Sequence, residues 1–180
     1  MLVKELEGVK LSFKPVVRAL KVGVVTVKYP FEKVAPPEGF RGKPEILVDK
    51  CIGCGACSNV CPPNAIEVID DLEGGIRRVS IFYGRCIFCG RCEEICPEKA
   101  IRLTREFELA TDNIEDLYFI VEFKLLKCSL CGKPFATSRE ISRAANKLRE
   151  AGIEFREEEL RLCDECRLKV KAYLESFARR

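Results

Sequence analysis

The chain has 180 residues, enough for one or two small domains. Its 31 lysines and arginines nearly balance its 28 aspartates and glutamates, and the formal net charge of +3 is too mild to indicate a nucleic-acid partner. The sequence contains no histidine for acid–base catalysis, and it has no apolar run of about 18 residues that could cross a membrane.

Residues 12–28 have the apolar spacing of an amphipathic helix with a neighbouring basic stripe. Ser12 is placed to cap this helix, and Pro15 falls in its first turn, where proline costs little. The valine-rich stretch 22–27 favours a strand by propensity alone, but the periodicity favours the helix. A basic amphipathic helix predicts docking on a membrane surface or a membrane subunit, against the alternative of packing on the protein's own core.

Residues 30–45 are rich in proline and glycine and are expected to be extended. A segment of this length without regular structure is expected to pack on a partner. It contains the sequence F-R-G-K-P-E at residues 40–45, and residues 46–48 are predicted to form a short strand before the first cysteine run. We therefore expect an N-terminal docking region over residues 1–45.

The centre of the chain contains one cysteine pattern twice, 35 residues apart. Each copy reads C-I-x-C-G-x-C-x3-C-P-x-x-A-I, beginning at Cys51 and at Cys86. The pattern resembles the run of bacterial ferredoxins that bind two [4Fe–4S] clusters. A disulfide framework is disfavoured because the chain shows no secretory signal, and a zinc site because zinc is usually held by pairs of cysteines.

The ferredoxin resemblance implies crossed ligation, in which the last cysteine of each run binds the cluster of the other run. Cysteines three apart in a tight loop reach three corners of a cluster, and the proline after each run stops the chain from continuing as helix. Gly55 and Gly90 allow the backbone to approach the cluster. The expected ligands are Cys51, Cys54, Cys57 and Cys96 for cluster 1, and Cys86, Cys89, Cys92 and Cys61 for cluster 2.

The rest of the predicted ferredoxin domain, over residues 46–105, follows from apolar alternation and turn residues. Its expected elements are a hairpin of residues 65–69 and 79–83, short helices after Cys57 and Cys92, and a closing strand at 101–103.

Residues 106–180 are predicted to form a C-terminal lobe. A strand over residues 117–126 leads into the pair Cys128 and Cys131, and a helix with a capping box at residues 137–140 follows. Gly152 is its predicted stop. The second pair, Cys163 and Cys166, opens a last helix.

Two C-x-x-C pairs with a long insertion predict one tetrahedral site of four thiolates, at Cys128, Cys131, Cys163 and Cys166. Rubredoxin-type iron sites have similar spacing, and ligand softness does not decide between the metals. The helix between the pairs favours a zinc-ribbon-like structural site. Redox dithiols are disfavoured because Cys128 lies between strand-like segments instead of opening a helix.

The predicted fold is therefore α+β, with a two-cluster ferredoxin-like core, an N-terminal amphipathic helix and a C-terminal zinc-ribbon-like or rubredoxin-like lobe. The whole chain resembles the two-cluster subunits of formate hydrogenlyase and related membrane-bound [NiFe] hydrogenases. The resemblance rests on the basic helix, residues 40–45, the double cysteine run and the two C-terminal pairs. Such subunits are similar to the 23-kDa-type subunit of respiratory complex I, and the four-cysteine module favours the hydrogenlyase branch.

The resemblance implies an electron relay with no catalytic residues of its own. It implies partners in the same complex: an electron-input iron–sulfur subunit, the small and large [NiFe] hydrogenase subunits, and membrane subunits. It also implies a peripheral position on the cytoplasmic side of the cell membrane. This agrees with the absence of a phosphate loop or a nucleophile setting in the sequence.

Three other functions are weighed against the relay. A soluble ferredoxin-like carrier would leave about half the chain without a role. A nucleic-acid-binding zinc module is disfavoured by the glutamates at 154 and 157–159, just before the second cysteine pair. A complete redox enzyme would need a substrate site, and the sequence shows none.

Overall fold

The computed structural model describes residues 13–178, in a chain that divides into two units, Met1–Glu38 and Gly39–Arg180. The first unit contains helix α1 (Lys14–Val22), which has no buried residue. Its apolar side chains are exposed, including Phe13 at 70% and Leu20 at 80%. Among the helices described, none combines the length and apolar character needed to span a bilayer.

The prediction of one helix over residues 12–28 is wrong in its extent. Helix α1 ends at Val22, and Gly23 follows with a φ of 69°. Glycine adopts this conformation without steric cost, and the β-branched valines after it lose side-chain freedom in a helix, so the helix stops there. Ser12, the expected cap, lies outside the described residues, and Phe13 occupies the N-cap position.

The second unit mixes short helices with antiparallel strands. Strand β1 pairs with β4, and a four-stranded sheet has the order β2-β3-β5-β6. Two 3-10 turns, Tyr83–Arg85 and Ile114–Leu117, connect these elements. The elements are β1 (Pro44–Ile46), α2 (Ala56–Asn59), β2 (Ile66–Asp71), β3 (Ile76–Phe82), α3 (Arg91–Ile95), β4 (Ile101–Leu103), β5 (Tyr118–Lys127), β6 (Pro134–Thr137), α4 (Ser138–Glu150), α5 (Glu157–Leu160) and α6 (Asp164–Ala178).

The predicted elements of the ferredoxin region are present with shifted ends. The hairpin is formed by β2 and β3, whose register runs from Ile66 opposite Ile81 to Asp71 opposite Ile76. The closing strand β4 spans the predicted residues. The short strand before the first cysteine run lies at Pro44–Ile46, two residues earlier than predicted. Helices α2 and α3 contain Cys57 and Cys92 instead of following them.

Strand β5 confirms the strand predicted at residues 117–126, and it extends the sheet of the hairpin. It is antiparallel to β3 along the whole of that strand. Val79 and Ile81 on β3 and Val121 and Phe123 on β5 are buried in one core. The first strand of the C-terminal segment therefore shares its core with the cysteine repeat.

Residues 42 and 43 continue the ladder of β1 and β4 beyond the strand ends. The Gly42 amide donates a hydrogen bond to the carbonyl of Thr104 at 2.8 Å, and the Lys43 amide donates to the carbonyl of Glu106 at 2.7 Å. The Lys43 side chain also pairs with the Glu106 carboxylate. The F-R-G-K-P-E stretch is thus held against the chain that leaves β4.

Replacing Gly42 by Ala is expected to lower the melting temperature more than the same replacement at a glycine that has open space around it. A Cβ at Gly42 would overlap the carbonyl oxygen of Glu106 and would lie 2.8 Å from that of Thr104. Backbone atoms cannot yield locally, so the cost is about 3 kcal/mol. Gly39 is the control, because a Cβ there meets nothing within 4 Å and only its φ of 76° is strained, at about 1 kcal/mol. Equal losses in thermal unfolding would contradict the steric argument.

Candidate iron–sulfur and metal centres

The first cavity of the cysteine repeat collects cysteines from both runs. Its wall includes the first three cysteines of the first run and the last cysteine of the second, and most of the remaining lining is apolar. Gly55, with a φ of 75°, turns the loop into α2 and so positions the third of these cysteines. The four are Cys51, Cys54, Cys57 and Cys96.

The second cavity has the complementary composition. Its wall includes the first three cysteines of the second run and the last cysteine of the first. Gly90, with a φ of 82°, makes the same left-handed turn into α3. The four cysteines here are Cys86, Cys89, Cys92 and Cys61. The eight cysteines thus fall into the two sets that the ferredoxin resemblance implies.

The two halves also repeat their hydrogen bonds to sulfur. The Ala65 amide donates to Cys61 Sγ at 3.2 Å, and the Ala100 amide donates to Cys96 Sγ at 3.2 Å. Hydrogen bonds to cysteine sulfur stabilise its thiolate and help to set the potential of a bound cluster. Each alanine stands in the A-I pair that closes the sequence repeat, so this signal was already present in the pattern.

Burial makes the free thiolate form of one cysteine in each cavity unfavourable. It raises the pKa of Cys57 to about 12, with further contributions from the neighbouring Cys51 and Cys54. It raises the pKa of Cys92 to about 11. Four thiols around one apolar cavity need a cationic group to ionise together, and the iron of an iron–sulfur cluster supplies that charge. The donor set therefore fits such a cluster in each cavity.

Side chains of the C-terminal segment donate hydrogen bonds to the first cysteine loop, and the sequence analysis did not predict these contacts. The Thr137 hydroxyl donates to the carbonyl of Ile52 at 2.6 Å. The Arg139 guanidinium donates to the carbonyl of Cys51 at 2.9 Å and also to that of Val48. These contacts join residues 85 to 91 positions apart, and no local pattern predicts them.

Arg77 on β3 forms a second connection to the same loop. It donates to the carbonyl of Gly53 at 3.1 Å and to the Glu140 carboxylate at 2.9 Å, and it binds both carboxylate oxygens of Asp70. The hydrogen bond from Arg77 lowers the pKa of Asp70. The sequence identified Glu140 only as part of the capping box, which is present in the structure.

The four C-terminal cysteines form one compact group, as predicted. Among the described residues their sulfur atoms all lie within 4.8 Å of one another, and Cys131 Sγ is 3.7 Å from Cys163 Sγ. Three of the four are buried, and Cys131 is exposed. The group is Cys128, Cys131, Cys163 and Cys166.

Backbone amides prepare this group for a cation. The Cys163 amide donates to Cys128 Sγ at 3.3 Å. Hydrogen bonds from the Cys131 and Cys163 amides lower the pKa of Cys128 to about 6, whereas burial and the neighbouring thiols raise the pKa of Cys166 to about 12. The four thiols thus differ in how readily they ionise, and a metal cation in a closed four-sulfur site would stabilise all four thiolates.

Comparison with known proteins identifies the family. Residues 50–100 match the family of 4Fe-4S dicluster domains. The chain is 44% identical over 153 residues to formate hydrogenlyase subunit 6 of Escherichia coli (strain K12), covering 83% of this chain and 85% of that protein. The chain belongs to the formate hydrogenlyase subunit 6 family.

Two further similarities accompany this assignment. The chloroplastic NAD(P)H-quinone oxidoreductase subunit I of Psilotum nudum is 48% identical over 100 residues, which cover 53% of this chain and 61% of that protein. A chain in the structure of the membrane-bound sulfane sulfur reductase, an archaeal respiratory membrane complex, is 30% identical, covers 65% of each chain and has a TM-score of 0.44.

The family confirms the resemblance that the sequence predicted. The chain is an iron–sulfur electron-transfer subunit of the type found in membrane-bound complexes. The dicluster match covers both cysteine runs, because it begins just before the first run and ends just after the second.

Proposed function

We propose that the chain relays single electrons through two [4Fe–4S] clusters inside a membrane-bound [NiFe] hydrogenase complex of the formate hydrogenlyase type. The observation that carries the proposal is the division of the eight repeat cysteines between two cavities, with the last cysteine exchanged between the runs. The family membership supports the type of complex.

The ligand sets follow the two cavities. Cys51, Cys54, Cys57 and Cys96 hold cluster 1, and Cys86, Cys89, Cys92 and Cys61 hold cluster 2. Each bound cluster supplies a one-electron couple. The protein contributes the thiolates, the Ala65 and Ala100 amides that bond to sulfur, and an apolar wall that keeps water away.

The third site has a structural role and holds one zinc ion, with iron as the alternative. Zinc has no redox chemistry, and a closed four-thiolate site contributes directly to folding free energy. The site joins the turn after β5 to the start of α6, since Cys128 follows β5 and Cys166 lies in α6. A rubredoxin-like iron would instead make the site a further redox centre.

The partners within the complex are an electron-input iron–sulfur subunit, the small and large [NiFe] hydrogenase subunits and the membrane subunits. The chain attaches as a peripheral subunit on the cytoplasmic side of the membrane. Helix α1 supports attachment through its exposed apolar residues, because an apolar helix face is stable in water only when another surface covers it.

Deleting residues 1–28 is expected to leave both clusters in place and to release the chain from the membrane fraction.

A point variant tests the same surface more sharply. Leu20→Asp places a charge at an apolar position that is 80% exposed, while Ala19→Asp adds the same charge to another face of α1. We expect Leu20→Asp, but not Ala19→Asp, to reduce the yield of the chain in purified membranes.

The proposal as a whole is tested by purifying the native complex and identifying its subunits. Hydrogenase subunits that co-purify with the tagged wild-type chain support the relay. A wild-type chain that carries its clusters but runs as a free monomer in gel filtration of fresh extracts would support the soluble carrier instead. Wild-type membrane yield from Leu20→Asp would show that α1 has another role.

A further inference from the structure

We propose that Arg139 on α4 is a positioning residue that fixes the first cysteine loop and raises the reduction potential of the cluster in the first cavity relative to that in the second. The inference rests on the proposed function in that it takes a cluster to occupy each cavity. It assigns a part in electron transfer to the helix between the two C-terminal cysteine pairs.

The contacts of α4 concentrate on the first cavity. Arg139 in its first turn binds the carbonyls of Val48 and Cys51, on either side of the entry to the loop. One turn later, the Arg143 Nε lies 2.6 Å from the carboxylate of Glu98. Glu98 stands two residues after Cys96, the cysteine that the second run contributes to this cavity, and it lines the cavity wall. The helix therefore holds both chain segments that supply the first cavity's cysteines.

Arg139 is the arginine of this contact that has no carboxylate among its hydrogen-bond partners. The carboxylate of Glu98 is paired with Arg143, and Arg77 is shared between the carboxylates of Glu140 and Asp70. Arg139 binds only neutral carbonyl groups in the contacts that the structure gives it. The Arg139 guanidinium thus places a positive charge beside the entry to the first cysteine loop.

The loop of the second cavity is held by fewer contacts in the described part of the chain, although Arg91 lines the cavity wall. Ile87 occupies the position that Ile52 has in the first run, and it is 59% exposed, whereas Ile52 is partly buried and hydrogen-bonded through its carbonyl to Thr137. The arginine nearest in role is Arg41, which donates to the carbonyl of Cys89 at 3.3 Å in an exposed setting. Arg139 is exposed as well, so solvent screens both charges, and Arg139 differs in that it binds two carbonyl groups, that of Cys51 at 2.9 Å.

The charge and hydrogen bonds of Arg139 are expected to change the reduction potential of the first cluster. Reduction of a cluster adds one electron and no nuclear charge, so a fixed positive charge nearby stabilises the reduced form more than the oxidised form. Arg139 also offsets the negative ends of the two carbonyl dipoles that it binds. Both effects raise the midpoint potential of the first cluster, and both disappear when the guanidinium is removed.

The test is a redox titration of the full-length, cluster-loaded chain, followed by electron paramagnetic resonance. Signals are assigned to the cavities with variants that lack Cys54 or Cys89. Arg139→Gln is expected to shift the midpoint potential of the first cluster downward and leave the second unchanged. Arg139→Lys, which keeps the charge, is expected to retain most of the wild-type value.

Two controls remove the same charge elsewhere. Arg149→Gln alters an arginine of the same helix that contacts Asn146 and Glu157, and both midpoint potentials are expected to stay at wild type. Arg41→Gln is expected to affect only the second cluster, and by less. Thermal unfolding of the variants separates loss of the fold from a change of potential.

Unchanged potentials in Arg139→Gln, or equal shifts of both clusters, would overturn the inference. Loss of the first cluster alone from Arg139→Gln, with both clusters kept in Arg139→Lys, supports the positioning role, and loss of both clusters contradicts it. A wild-type chain that takes up fewer than two clusters would instead refute the proposed function, so the two failures are distinguishable.

Discussion

Cys61→Ser is expected to remove the cluster of the second cavity and leave the cluster of the first. Cys61 belongs to the first run in sequence, but its side chain lines the second cavity with Cys86, Cys89 and Cys92. A serine hydroxyl is a poorer iron ligand than a thiolate, so a cluster left with three thiolates is unstable. Iron analysis is expected to fall from about eight atoms per chain to about four.

The matched variant is Cys96→Ser, which makes the same substitution at the equivalent position of the second run. It is expected to remove the cluster of the first cavity, because Cys96 lines that cavity. Spectra of the two variants then complement each other. If Cys61→Ser lost the cluster held by Cys51, Cys54 and Cys57, each run would bind its own cluster and the crossed assignment would be wrong.

Cys163→Ser is expected to abolish metal binding at the four-cysteine site and to unfold the segment after β5. In small zinc domains the metal contributes about 10 kcal/mol or more of apparent binding free energy, and without it such segments do not fold. Strand β5 is expected to survive, because it is paired with β3. Metal analysis and limited proteolysis check the two parts of this expectation.

Both clusters are still expected to form in Cys163→Ser, but the first is expected to be lost to a chelator faster than the second, because α4 holds only the first loop. Leu130→Ser is the control, since it adds a hydroxyl between Cys128 and Cys131 at an exposed side chain without removing a ligand. One zinc per wild-type chain is expected. One additional iron in place of zinc, with a visible band that bleaches on reduction, would make this site a redox centre.

The parts of the molecule that the sequence predicted well are those that local chemistry determines. The two cysteine sets are implied by the resemblance of the repeated run to ferredoxins, the β2–β3 hairpin follows from apolar alternation around a glycine turn, and the start of α4 from its capping box. In each case the residues that form the feature are neighbours in the chain or copies of one pattern.

Most features that the sequence analysis missed depend on contacts between residues far apart in the chain. The error at α1 depends instead on one glycine. Alternation predicted a strand at residues 117–126, but it could not show which strand edge these residues would join. Arg77 and Arg139 contact groups 63 and 88 residues away in the chain, and no periodicity marks them. At α1 the error was of another kind, because Gly23 outweighed an apolar period that continued beyond it.

The pairing of β5 with β3 determines how far the iron–sulfur repeat can be moved as a unit. If the chain stopped after β4, the backbone groups that β3 presents to β5 would form an open sheet edge, and Val79 and Ile81, now 1% and 0% exposed, would lose their cover. Open edges with apolar side chains recruit strands from other molecules. The iron–sulfur repeat therefore cannot be transferred to another protein by itself. A fusion protein built from it also needs strand Tyr118–Lys127 to avoid aggregation.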